Sequence, residues 1–230
     1  MGRKDGGYRE SIGLRQARAN GEAKSIMVSG IILAGGKGRS MRQRNKALMP
    51  CEGETMLERQ IRIMSELCQE IIIATDSPRS YLPLVSPPIR IVSDYLPGRG
   101  PLSGLAAGLS LSRQRYAWVV GCDMPNLSAA SARLMLKRLI GRLEAVWPSD
   151  KDGPHPLHGV YDCECAPRIA ALVEEGTATI ADLPLHLEWG EVAEGEFVQN
   201  GIAYDFLEHA GGEAPPIAPF ADEKRWGASL

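Results

Sequence analysis

The chain has 230 residues, 44% of them apolar and 23% charged. That is enough for one domain with a real core, and too apolar for general disorder. Its 26 basic and 28 acidic residues leave a net charge of −2, so it lacks the basic surplus of a nucleic-acid or membrane-surface binder while leaving room for a local basic pocket.

Residues 1–26 carry no apolar periodicity and no apolar core of a signal peptide, so a loose extension is expected there. No stretch reaches the roughly 18 apolar residues of a membrane helix, and a cytoplasmic protein is expected. A single domain is expected over 27–210. It opens with Val28–Ala34, an apolar run suited to a buried parallel strand. A glycine-rich loop follows. A helix is expected from Thr55, because Thr55-Met-Leu-Glu58 is a capping-box pattern and Leu57, Ile61, Met64 and Cys68 recur at helical spacing. Glu70–Thr75 and Ile89–Val92 read as strands, Leu102–Leu111 as a helix broken by small residues, and Tyr116–Cys122 as another strand. Ser128–Ile140 is an amphipathic helix with Gly141 placed to stop it. Glu144–Trp147 and Pro156–Tyr161 are further strand candidates, and Pro167–Glu175 a helix with proline in its first turn. Residues 211–230, rich in Gly, Pro and Ala, read as a tail.

Strands alternating with helices imply parallel pairing through right-handed crossovers, a three-layer α/β/α sandwich with a Rossmann-like, mostly parallel sheet. Ligands bind such sheets at the carboxyl ends of the strands. The loops after Ala34, Thr75, Val92 and Cys122 are therefore the candidate site.

The first of these loops, Leu33–Lys46, sits where a phosphate loop belongs. Its glycines let backbone N–H groups approach an anion. Lys37, Arg39, Arg42, Arg44 and Lys46 place five cations in ten residues without an acidic side chain. It lacks the Gly-Lys-Ser/Thr of a P-loop, and Met41 stands where a dinucleotide-binding loop has its third glycine. The bland alternative, a solvated basic surface loop, sits poorly with glycines that directly follow a buried strand.

Asp123, in Gly121-Cys-Asp-Met-Pro125, closes a buried strand with a carboxylate, which suits Mg2+, an ion commonly held by one or two protein carboxylates and substrate phosphates. Its other reading is a helix N-cap, for which Ser128 is better placed. Asp94 also follows a strand, among Gly98, Gly100 and Gly104; taken alone it could be a turn former.

The pattern L-A-G-G-x-G-x-x-M-x-x-x-x-K resembles the signature of the nucleoside triphosphate transferases. With Asp94, Gly100–Leu105 and Cys122–Pro125 in register over residues 29–140, the chain resembles the molybdenum cofactor guanylyltransferases. The resemblance implies a fold of the nucleotide-diphospho-sugar transferase type. It also implies a Mg2+-dependent reaction in which GMP passes from GTP to the terminal phosphate of molybdopterin or the molybdenum cofactor. By the same resemblance Leu33, Ala34, Gly35, Gly36 and Gly38 line the nucleotide, Arg39 and Lys46 hold the triphosphate, Asp94 holds the guanosine or a metal-bound group, and Asp123 binds the metal. Molybdoenzymes or cofactor chaperones are implied as partners, without nucleic acid or membrane.

The related cytidylyltransferases have Ala-Ala-Gly where this chain has Ala34-Gly35-Gly36, and lack G-P-L-x-G. Departures from the family are Ser40 and Arg42, Asn45 in place of aspartate, Ala74 in place of a polar residue after the second strand, and Phe197–Asp205 in place of the terminal F-x-N-x-N-x-P-E-D, where Gln199 and Asn200 could substitute. Other readings are a cytidylyltransferase, a transferase with a sugar-phosphate or phospholactate acceptor, and a non-catalytic GTP-binding relative.

His155 and His158 would fall on opposite faces of a strand, which disfavours a metal pair. His186 and His209 carry no signal. Cys51, Cys68, Cys122, Cys163 and Cys165 are odd in number and form no C-x-x-C, so neither a disulfide framework nor a zinc site is indicated. Cys163 and Cys165 are read as lying at a strand end and pointing the same way.

Overall fold

A computed structural model describes residues 26–35 and 45–209. Residues 1–25, 36–44 and 210–230 lie outside the described residues, and with them most of the expected extension, the expected tail, and Gly36, Gly38 and Arg39 of the glycine-rich loop.

The first strand, β1 (Val28–Leu33), is buried throughout. It is followed by the small hairpin β2 (Pro50–Cys51) and β3 (Glu54–Thr55) and then by helix α1 (Met56–Met64). The expected capping box is present: Glu58 N donates to Thr55 Oγ1 at 3.2 Å, and Thr55 N donates to Glu58 Oε2 at 2.8 Å. Strands β4 (Glu70–Thr75) and β5 (Arg90–Ser93) precede helix α2 (Pro101–Leu111). Strand β6 (Tyr116–Gly121) then leads into helix α3 (Ala129–Leu139), capped by Ser128. The remainder comprises β7 (Ala145–Asp150), β8 (Gly153–Pro154), β9 (His158–Asp162), α4 (Ala166–Glu175), α5 (Leu183–His186), β10 (Trp189–Ala193) and α6 (Glu194–Gln199).

The main sheet runs β10-β7-β9-β6-β1-β4-β5, with β8 paired to β7. Alternate residues of its central strands face two separate cores. Val28, Ile32, Ile71, Ile73, Trp118 and Val120 pack with Leu57, Met64, Met135 and Phe197 of α1, α3 and α6. Ile31, Leu33, Ile72, Ala74 and Val119 pack with Leu105, Leu109, Ile169 and Leu172 of α2 and α4. Each buried Ile or Leu contributes about 1.5–3 kcal/mol, and burial on both faces is why these strands read as unbroken apolar runs. Helix α2 lies close because of Gly108, where a Cβ would come 2.7 Å from Ile31 Cγ2.

Four differences from the sequence reading have physical causes. Strand β9 is antiparallel to β6 and β7, because the link from Asp150 to His158 is shorter than the dozen or so residues a parallel crossover takes. Strand β10 was not foreseen: it is an edge strand with only Val192 buried, so it carries no apolar run. Cys163–Cys165 forms a 3-10 turn beyond β9 rather than a strand end, and all five cysteines are free. His155 precedes β9, in a turn where its carbonyl accepts from His158 N at 3.0 Å. No helix among the described residues is long and apolar enough to cross a membrane.

Candidate nucleotide site at the carboxyl edge

Strands β1, β4, β5 and β6 run parallel, so their carboxyl ends share one edge. Backbone bonds extend the pairing past each strand: Ala34 N donates to Ala74 O at 2.8 Å, Asp94 N to Thr75 O at 3.1 Å, and Cys122 N to Leu33 O at 3.2 Å. Ala34 O also accepts from Thr75 Oγ1 and Tyr81 Oη, each at 3.1 Å. The backbone groups of Leu33 and Ala34 expected to meet a base are thus partly committed to the protein itself.

Asp123 stands just beyond β6. Its Oδ2 accepts from Lys46 Nζ at 2.8 Å, and His209 Nδ1 lies 3.1 Å from its Oδ1. Burial opposes its ionisation, but His209 and Lys46 outweigh that and hold the carboxyl at about 2. Residues 77 positions apart in the chain are therefore brought into one ion pair. Lys46 begins a 3-10 turn, Lys46–Leu48, capped by Asn45, whose Oδ1 accepts from Ala47 N. An aspartate at position 45 could accept the same bond.

The turn bearing Asp123 is gripped from α1. Gln60 Nε2 donates to Gly121 O at 2.8 Å and Met124 O at 2.9 Å, and Arg59 Nε donates to Pro125 O at 2.8 Å. Sequence reasoning missed Gln60. The signal was present: it lies three residues after Leu57 and four before Met64, on the buried face of the helix.

Asp94 is buried beneath the start of the glycine-rich loop. A Cβ on Gly35 would come 3.0 Å from Asp94 Oδ2, and one on Gly104 would come 3.2 Å from Oδ1. Two glycines from separate motifs therefore make room for one carboxylate. Among the described residues Asp94 Oδ1 has no hydrogen-bond partner. Desolvation, helped by the nearby Asp76 carboxylate, pushes Asp94 up to about 6.

Ala74 is a buried residue inside β4, and the first side chain past that strand is Asp76. Asp76 rather than Ala74 thus holds the position after the second strand. Gln199 and Asn200 end helix α6, where Asn200 Nδ2 donates to Glu196 O. The terminal residue that reaches Asp123 is His209, which sequence reasoning passed over because nothing local distinguishes it.

His158 is fully buried between Trp118 and Phe206, with ring centroids at 6.1 and 4.8 Å. Burial drives its imidazole down to about 3, so it is a neutral core residue. His155 lies 2.9 Å from Asp150. Among the described residues no group of three or more His, Cys, Asp or Glu could hold a metal ion.

The carboxyl edge of this mostly parallel sheet thus carries a lysine–aspartate pair and a glycine-flanked carboxylate. The family model of the MobA-like NTP transferase domain matches residues 30–184. The chain belongs to that family. It is 31% identical over 153 residues to the molybdenum cofactor guanylyltransferase of Desulfosudis oleivorans, covering 66% of this chain and 74% of that protein. The fold is similar to that of molybdopterin-guanine dinucleotide biosynthesis protein A from Archaeoglobus fulgidus, with a TM-score of 0.64 at 18% identity over 75% of this chain and 86% of that one. It is also similar to CMP:2-keto-3-deoxy-manno-octonic acid synthetase complexed with CTP, with a TM-score of 0.55 at 12% identity over 73% and 90%.

Proposed function

We propose that the chain transfers GMP from GTP to the terminal phosphate of molybdopterin or the molybdenum cofactor and releases pyrophosphate. The observation that carries this reading is the Lys46–Asp123 pair, 2.8 Å apart at the carboxyl edge of the sheet. It sets a cation beside an ionised carboxylate where a triphosphate and its metal ion would meet. The relative from Desulfosudis oleivorans supports the choice of base and acceptor. Asp94, whose Oδ1 has no partner among the described residues, also favours guanine, whose N1–H and 2-amino group offer two adjacent donors.

In the proposed reaction an oxygen of the acceptor phosphate attacks the α-phosphorus in line, and the bond to the β-phosphate oxygen breaks. An ionised phosphate needs no general base, so the protein's task is positioning and charge neutralisation. Lys46 neutralises the departing pyrophosphate, assisted by Arg39. Asp94 orients the guanosine. Gln60 and Arg59 hold the turn that presents Asp123.

The donor set suits Mg2+, which takes one or two carboxylates and keeps several waters; Asp123 would hold it, and no all-protein cage is required. When bound, the ion supplies charge neutralisation at the phosphate oxygens. Delivery of the product to molybdoenzymes or cofactor chaperones in the cytoplasm belongs to the same proposal.

Pyrophosphate release with Mg2+, GTP or CTP, and a molybdopterin-type acceptor tests it. GTP- and acceptor-dependent release is expected, and Asp123→Asn should lower it on the order of 100-fold or more. Release with CTP alone, or full activity in the variant, would overturn the reading.

A further inference from the structure

Tyr81 ends the 3-10 turn Pro78–Ser80 that follows β4, and only 1% of it is exposed. It belongs to the same core cluster as Ala34 and Ala47. Its hydroxyl lies 3.1 Å from Ala34 O and 3.0 Å from Asn45 Oδ1. Those two acceptors come from opposite sides of the glycine-rich loop. Each also has a second donor: Thr75 Oγ1 for Ala34 O, and Ala47 N for Asn45 Oδ1. The bond from Ala47 N fixes which way the Asn45 amide faces. A single phenolic proton is therefore shared between the end of β1 and the residue that caps the turn carrying Lys46.

We propose that Tyr81 is a positioning residue, which through Asn45 sets where the Lys46 ammonium stands against Asp123. A lysine on a flexible stem is only as well placed as its backbone, and displacement by about 1 Å can cost on the order of 100-fold in rate. Burial raises the phenol to about 12, so it remains a hydrogen-bond donor at neutral pH. Thr75 still donates to Ala34 O when the phenol is removed, so the end of β1 keeps a partner.

The test is Tyr81→Phe, which keeps the ring and deletes the hydroxyl. One arm is kinetic and rests on the nucleotidyl-transfer reading. There kcat/KM should fall roughly tenfold, and Tyr81→Phe combined with Lys46→Ala should be no slower than Lys46→Ala alone. Additive losses in the double variant would overturn the proposal.

The second arm needs no nucleotide. Acetylation of Lys46 relative to Lys151, read by mass spectrometry, should rise about threefold or more once the ammonium is less firmly held, as expected when one hydrogen bond is lost. An unchanged ratio would overturn the proposal even if the wild-type protein released no pyrophosphate, an outcome that would sink the functional reading alone. If Tyr81→Phe does not fold, Asn45→Ala breaks the same link and is judged by the same labelling ratio.

Discussion

At the scale of single residues, the site holds two carboxylates pushed in opposite directions. Asp123 has Lys46 and His209 against it and drops to about 2, while Asp94, desolvated and near Asp76, rises to about 6. The sign for Asp94 follows from its raised value. Between about pH 4 and pH 6 the folded chain holds a proton that the unfolded chain has already released, so this group's contribution to stability declines as pH rises through that window. Asp94→Asn removes the decline. The variant should melt roughly 2–4 °C above wild type at pH 7.5 and show a smaller difference at pH 5, while losing turnover. Equal melting temperatures at pH 7.5 would count against burial as the cause. Both carboxylates were legible in the sequence because each follows an apolar strand. Tyr81 and His209 were not, since each acts through partners tens of residues away and no local pattern marks them; Gln60 was marked only by its helical spacing from Leu57 and Met64.

At the scale of elements, legibility tracked burial and capping. Strand β4 matched its predicted limits because all six of its residues are buried. Helix α1 began where the capping box placed it, and this helix carries the Gln60 grip on the Asp123 turn. Thr55→Ala should lower the melting temperature by roughly 2–4 °C, since losing a threonine cap destabilises a helix by about the amount that moves a chain of this size that far. A change below one degree, measured by calorimetry, would show that tertiary packing alone fixes the start of α1. The reversed strand β9 was illegible for a different reason. Its residues are as buried as those of a parallel strand, and only the shortness of the preceding link, read as a hairpin, would have given its direction.

At the scale of the whole molecule, both substrates of the proposed reaction would meet one edge of one sheet, and a ligand that binds only the folded chain stabilises all of it. GTP with Mg2+ at about 100 times its dissociation constant should contribute about 2.7 kcal/mol. That corresponds to a rise in melting temperature of roughly 5–10 °C. A comparable rise with CTP and none with GTP would reassign the base. The fold class was accessible from the alternation of strands and helices, which places helices on both faces of a sheet and leaves its strands as continuous apolar runs. Sheet order was not, because it depends on which strands pair across the chain.

That order has a consequence for how the protein is made. Strand β1 occupies the middle of the sheet, yet its partners are Glu70–Thr75 on one side and Tyr116–Gly121 on the other. At a synthesis rate of about 5–20 residues per second, Val28 waits roughly 4–18 s for Tyr116 to be added. Through that interval an apolar segment has at least one unpaired edge, the kind of surface on which strands from other chains can template. The strand at the centre of the candidate nucleotide edge in the finished protein is thus also one exposed to misassembly on the ribosome.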